Sequence, residues 1–226
     1  MPPSDISDVV FKSGGIDARR QWGSAVVSFR GSLTEVNEVR PGDRSVLVDL
    51  RRTFPGAMTM AQLAAPQIGG DPIVLVSLYG MMEGGYAVTT VHRMLSDLTY
   101  LLDSGLGKNV IVGGDLNCST QFTGRDGVRH RNLFERFKTL GLTDVLKVDR
   151  QQRPRLEGCA CEDDPCLHIQ TYRHNLSDKP WQNDYLFCTS ALQNSLVCAK
   201  VEAAGTPDPW SLSDHLPIMA EFDFAL

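Results

Sequence analysis

No apolar run in this 226-residue chain approaches the roughly 20 residues that a membrane-spanning helix requires. An excess of positive charge is also missing: 22 Lys and Arg stand against 27 Asp and Glu, for a formal net charge of -5. Broad, sequence-independent adhesion to polyanions is therefore not expected. A polyanionic substrate is not excluded, because a site for divalent cations is acidic when empty and the bound ion reverses the local field. The six cysteines, Cys118, Cys159, Cys161, Cys166, Cys188 and Cys198, are too few and too clustered for a disulfide scaffold. Reduced thiols or a metal site are the expectation. The segment Met1 to Asp8 lacks the basic-then-apolar order of a secretory leader, so a cytoplasmic location without membrane contact is expected. No repeat, low-complexity stretch or Pro/Ser-rich linker divides the chain, and residues 1–226 read as a single domain.

What is present is mostly strand. Trp22 to Phe29 and Leu33 to Val39, separated by a turn at Gly31, read as a hairpin, and Arg44 to Leu50 as a third strand. Arg51 to Asp71 mixes Pro, Gly, Met and Gln without a clean period and reads as a loop. Ile73 to Tyr79 is a nearly continuous apolar run of the kind a buried strand produces. Val91, Leu95, Leu98 and Leu102 recur at helical spacing between Thr89 and Asp103, with Gly105 and Gly107 as the stop. Arg131 to Leu140 predicts a second helix, ended by Gly141. Tyr185 to Cys188, Ser195 to Val201 and Ile218 to Phe222 complete the strands. This order predicts an α/β chain of two mixed sheets packed face to face, with helices outside and polar clusters along one edge.

Chemistry concentrates at two strand ends. The run Val110 to Val112 enters Gly113 and Gly114, then sets Asp115 and Asn117 two positions apart. In an extended segment those two side chains point the same way, as in a phosphate or metal site. Asp and Asn also cap turns after strands, so a structural reading competes. Ser213, Asp214, His215, Leu216 and Pro217 form a second polar cluster just before Ile218.

These motifs resemble the endonuclease/exonuclease/phosphatase superfamily, the deoxyribonuclease I-like fold. The resemblance runs in order through Trp22 to Val27, Val76 to Tyr79, Gly114 to Asn117, Thr171 to Arg173, Asn183 to Phe187 and Ser213 to Pro217. It implies a four-layer sandwich and a metal-dependent phosphoesterase acting on a phosphate-ester substrate. Nuclease action on nucleic acid is preferred to phosphomonoester or phospholipid-headgroup hydrolysis. It further implies a Mg²⁺ or Mn²⁺ site drawing on Asp214, Asp115, Asn117 and His215. Asp115 and Asn117 then position or deprotonate the attacking water, and His215 contacts the phosphate while held by Asp184. Tyr79 hydrogen-bonds the phosphate or the leaving oxygen, and Arg173 adds a phosphate contact. The family's upstream site Asn and metal-binding Glu have no counterpart, since Met1 to Gln21 contains no Glu. The expectation is a chain shortened at its N-terminus or one with an altered site, and a weakened chain that binds without turnover is the rival to the active phosphoesterase. Loss of interior strands would expose edges that favour self-association. His92, His130 and His174 have no partner in the sequence and are expected at the surface or rim.

Separately, Cys159, Cys161, Cys166 and His168 make a Cys-x-Cys-x4-Cys-x-His array in a loop with little apolar content. Four soft ligands suit a closed tetrahedral zinc site, and reduced, unliganded thiols are the alternative.

Overall fold

The computed structural model describes residues 6–14, 22–42, 44–50, 54–68, 71–84, 87–150, 154–201 and 208–224. They fall into two units, residues 1–114 with 224–226 and residues 115–223. The chain is mixed α/β, as its strand and helix order predicts.

In the first unit, β1 (Asp8–Gly14) and β2 (Trp22–Ser28) pair antiparallel, Val10 opposite Val26. The hairpin expected between Trp22–Phe29 and Leu33–Val39 is thus corrected: the partner of β2 lies upstream. Residues 15–21, which join the two, lie outside the described set. β3 (Leu33–Glu35) pairs instead with β6 (Met58–Ile68), while β4 (Glu38–Val39) pairs with β5 (Val48–Asp49). Only that short β5 forms within the strand expected over Arg44–Leu50.

The presence of β6 overturns the loop reading of Arg51–Asp71. This strand lies between β3 and β7 (Asp71–Leu78), and Thr59, Met60 and Ala61 are consecutively buried. A strand covered on both faces has no polar side to alternate with, so its period is invisible. Thr59 is accommodated by a buried 2.6 Å hydrogen bond between its Oγ1 and Ser24 Oγ of β2. The register shifts between Leu63 and Ile68, which is where Pro66, lacking an N–H, is tolerated.

Helix α1 (Val88–Leu102) crosses from β7 to β8 (Val110–Asp115), which pairs parallel to β7 with Val76 opposite Val112. Val91, Met94, Leu95, Leu98 and Leu101 of α1 are fully buried. Each such side chain contributes roughly 1.5–3 kcal/mol relative to exposure.

The second unit holds α2 (Gly124–Thr139), β9 (Leu142–Asp144), α3 (Val145–Arg150), β10 (Tyr172–Arg173), β11 (Pro180–Trp181), β12 (Asp184–Thr189), α4 (Ser190–Gln193), β13 (Leu196–Val201) and β14 (Ile218–Phe222). β12 pairs with β9, β13 with β14 and β10 with β11, all antiparallel. Phe137 of α2 stacks on Phe187 of β12 at 4.2 Å, and Phe134 lies 4.7 Å from Tyr185. α2 starts earlier than Arg131, and His130 on it is buried rather than at the surface. Its ring nitrogen accepts the Ser119 N–H, its face stacks on Phe122, and burial lowers its pKa to about 4. Among the described residues, no helix is long and apolar enough to cross a membrane.

Candidate active site

Near the end of β8, the backbone at Gly114 requires glycine. Its φ of +144° lies where L side chains rarely sit, and an added Cβ would come within 1.9 Å of the Leu78 carbonyl oxygen. Gly114→Ala is expected to destabilise the fold by about 2 kcal/mol or more, read as a lower midpoint in urea unfolding.

The next residues do not stay extended. Asn117 has φ +49°, its backbone N–H donates to Asp115 Oδ1 at 2.8 Å, and its Nδ2 donates to Asp115 Oδ2 at 3.1 Å. The same-side geometry expected of an extended segment is therefore replaced by a turn closed on the Asp115 carboxylate. The two side chains meet all the same. Leu116, buried at this turn, donates its N–H to the Asn183 carbonyl at 2.9 Å and so fixes the turn beside the start of β12.

Thr171 organises the rest. Its Oγ1 accepts the backbone N–H groups of Asn183 (3.0 Å) and Asp184 (3.1 Å), its N–H donates to Trp181 O (2.9 Å), and its carbonyl accepts Leu216 N–H (2.8 Å). One fully buried threonine thus aligns the chain at Asp184 with the chain at His215. Tyr172 bridges to His215 through the backbone, and its ring lies 4.7 Å from the imidazole. The sequence motif includes Thr171, but nothing in its residue type announces this role. Thr171→Val, which keeps the shape and loses the acceptor, should cost about 2–4 kcal/mol by leaving buried amides unpaired. Thr171→Ser should recover most of that in thermal unfolding.

Asp184 and His215, 31 positions apart, meet through a 2.8 Å hydrogen bond between Asp184 Oδ2 and His215 Nδ1. Ligand atoms of Asp115, Asp184 and His215 all lie within 4.8 Å of one another. The charges are coupled accordingly. Asp115 is pushed up to about 6, first by burial and then by the negative charge of Asp184, against the opposing pull of the Asn117 N–H and His215. Burial would lower the His215 pKa, but the Asp184 hydrogen bond and the charges of Asp184, Asp115 and Asp214 outweigh it and raise the value. Two carboxylates this close to one another suit a divalent cation, which would relieve the repulsion that raises Asp115.

Asp214 is exposed and outside the three-residue cluster; its backbone carbonyl accepts the Arg173 N–H at 2.9 Å. The Arg173 guanidinium lies over the Trp210 ring at 5.3 Å. Tyr79 belongs to the first unit, where its ring lies 5.5 Å from that of Trp22 and its N–H donates to Ala57 O. His174 is exposed and His92 half-buried. A second group of close ligand atoms, Cys159, Cys161, Cys166 and His168, also lies in the second unit.

No family model matches this sequence, and no curated protein matches it. Solved structures do. An AP endonuclease from Archaeoglobus fulgidus superposes with a TM-score of 0.57 at 18% identity, over 95% of this chain and 79% of that one. The endonuclease domain of TRAS1, a telomere-specific non-LTR retrotransposon, gives 0.58 at 16% identity, over 95% and 80%. A 3'-5' exonuclease from Neisseria meningitidis gives 0.54 at 19% identity, over 88% and 74%. The chain therefore has the deoxyribonuclease I-like fold that its ordered motifs resemble.

Proposed function

We propose that this protein is a divalent-cation-dependent phosphoesterase that cleaves phosphodiester bonds in nucleic acid. The observation that carries the reading is the Asp184–His215 hydrogen bond beside Asp115, three side chains drawn from distant segments onto one small volume. The structural neighbours, two endonucleases and a 3'-5' exonuclease, favour nucleic acid over other phosphate esters.

With Nδ1 bound to Asp184, the His215 imidazole offers Nε2 to a phosphoryl oxygen, and its raised pKa favours the imidazolium that neutralises charge there. Asp115, ionised at neutral pH and held in place by the Asn117 N–H, is placed to take the proton of an attacking water. Asn117, fixed against Asp115, orients that water. Asp115 and Asp184 would hold Mg²⁺ or Mn²⁺, with Asp214 and Asn117 as the further candidate groups; His215, a candidate ligand only as the neutral imidazole, is assigned to the phosphate instead. When bound, the ion polarises the phosphoryl oxygen and steadies the leaving oxygen. Tyr79 and Arg173 are assigned to contacts with the phosphate or leaving group.

The test is hydrolysis of plain duplex DNA, duplex DNA with an abasic site, single-stranded DNA and a phosphomonoester, each with Mg²⁺, Mn²⁺ or chelator. Cation-dependent cleavage of a nucleic acid that is lost in His215→Ala supports the reading. Cleavage of the phosphomonoester alone, or binding of DNA without turnover under every condition, refutes it.

A further inference from the structure

The loop 154–169 forms neither helix nor strand, yet Cys161, Cys166 and His168 within it are only 5%, 3% and 3% exposed. An irregular, polar loop has little of its own to bury such groups against. We infer that Cys159, Cys161, Cys166 and His168 bind a structural Zn²⁺ ion that orders this loop and, through Thr171, holds the Asp184–His215 pair in place.

The ligand geometry fits that ion. All four ligand atoms lie within 4.8 Å of one another. His168 Nδ1 stands 3.7 Å from Cys159 Sγ and 3.6 Å from Cys166 Sγ, matching the sulfur-to-nitrogen edge of about 3.6 Å in a tetrahedron with Zn–S near 2.3 Å and Zn–N near 2.0–2.1 Å. All six cysteines are free, so these sulfurs are not consumed in a disulfide. Three thiolates and an imidazole are soft donors that select zinc and reject Mg²⁺.

An outer layer of partners surrounds the ligands. The other nitrogen of His168, Nε2, lies 2.7 Å from Thr120 Oγ1, which fixes the ring with Nδ1 toward the sulfurs. Gln121 Nε2 donates to Cys159 Sγ at 3.2 Å. The Arg155 guanidinium donates to the Cys161 carbonyl at 2.6 Å and reaches Cys161 Sγ at 3.8 Å, offsetting the net negative charge of zinc with three thiolates. Gly158, at φ +74°, makes the turn into the Cys-x-Cys pair.

The same residues lead to the candidate active site. Gln121, bound to Cys159, also donates to Pro180 O and accepts the Gln182 N–H, both at 2.7 Å. Ile169, next to the ligand His168, donates its N–H to Gln182 Oε1 at 3.0 Å. Two positions on, Thr171 takes the amides of Asn183 and Asp184 and the N–H of Leu216. Both ends of the cluster therefore clasp the short segment from Pro180 to Asp184. The consequence for Asp184 and His215 rests on the phosphoesterase reading; the zinc site itself does not.

The experiment uses the full chain, purified with reductant and dialysed against a weak chelator. About one zinc per chain should remain, and Co²⁺ replacement should give the thiolate charge-transfer and intense visible bands of a tetrahedral site. Stripping with a strong chelator should speed amide exchange at Asn183, Asp184 and Leu216 by about tenfold or more while Val26 and Val27 of β2 are unchanged. Thr120→Val should keep the fold and weaken zinc binding by about tenfold to a hundredfold. Absence of retained zinc together with absence of cobalt–thiolate bands overturns the site. Retained zinc whose removal leaves those three amides protected overturns its positioning role. These readouts need no hydrolysis, so zinc found in a protein that cleaves no phosphate ester would refute the proposed function and leave the site standing.

Discussion

Replacing His215 by Ala, or Asp184 by Asn, is expected to lower kcat for phosphodiester cleavage by about a thousandfold or more, with a smaller change in KM. The magnitude follows from what each group does in the transition state. His215 supplies positive charge and a proton donor to an oxygen that gains negative charge, an interaction weaker in the ground state. Asp184 acts through His215: its Oδ2 accepts the Nδ1 proton at 2.8 Å and raises the imidazole pKa. With Asn at position 184 the imidazole loses that support, and the alkaline limb of the pH–rate profile should move to lower pH. The fold should survive, because Thr171 anchors residue 184 by its main chain rather than its carboxylate. Since the two residues work as a unit, the double variant should be hardly slower than either single one. Full additivity of the two losses, or a loss under tenfold in His215→Ala, would remove the pair from catalysis.

How much of this could be read from residues alone depended on whether a segment owes its form to itself or to its neighbours. The run at Val110–Val112, the helical spacing of Val91, Leu95 and Leu98, and the strand Ile218–Phe222 carry their own pattern and form as expected. β6 does not: its Ala, Gln and Pro content has weak strand character, and pairing on both sides decides its state. β2 chose β1 over the segment after Gly31, and no turn chemistry near Gly31 encodes that choice. In the site, pairing of Asp184 with His215 is implied by the resemblance of the ordered motifs to a known family, and the two side chains do meet. The strand pattern predicts an extended Asn117, whereas its positive φ accompanies hydrogen bonds back to Asp115, a local competition that Asn and Asp allow. A threonine near a strand is ordinary in a sequence, and only the convergence of Asn183, Asp184 and Leu216 amides on Thr171 reveals the clamp. No pattern around His130 predicts its burial, and Phe122 and the Ser119 N–H supply that setting from nearby in the chain.

Asp115→Asn should raise stability while lowering activity. The carboxyl of Asp115 keeps its proton up to about pH 6 in the folded protein, against a usual value of 3.8. Between those two values the folded state binds more protons than the unfolded state, so stability falls as pH rises and stays lowered above about 6. At one unit of pKa to about 1.4 kcal/mol, ionised Asp115 costs the metal-free fold up to about 3 kcal/mol at neutral pH. An Asn there still accepts the Asn117 N–H through its amide oxygen and carries no charge to repel Asp184. Measured without divalent cations at pH 8, the variant should melt at higher temperature than the natural chain, by an amount equal to about 1–3 kcal/mol, and the gap should close by pH 4. Adding Mg²⁺ should stabilise the natural chain and do much less for the variant, since binding to the folded state is what the second carboxylate provides. Hydrolysis should meanwhile drop by at least about a hundredfold, because the base for the attacking water is gone. A variant that is both less stable at pH 8 and as active as the natural chain would mean that Asp115 serves only to close the turn at Asn117.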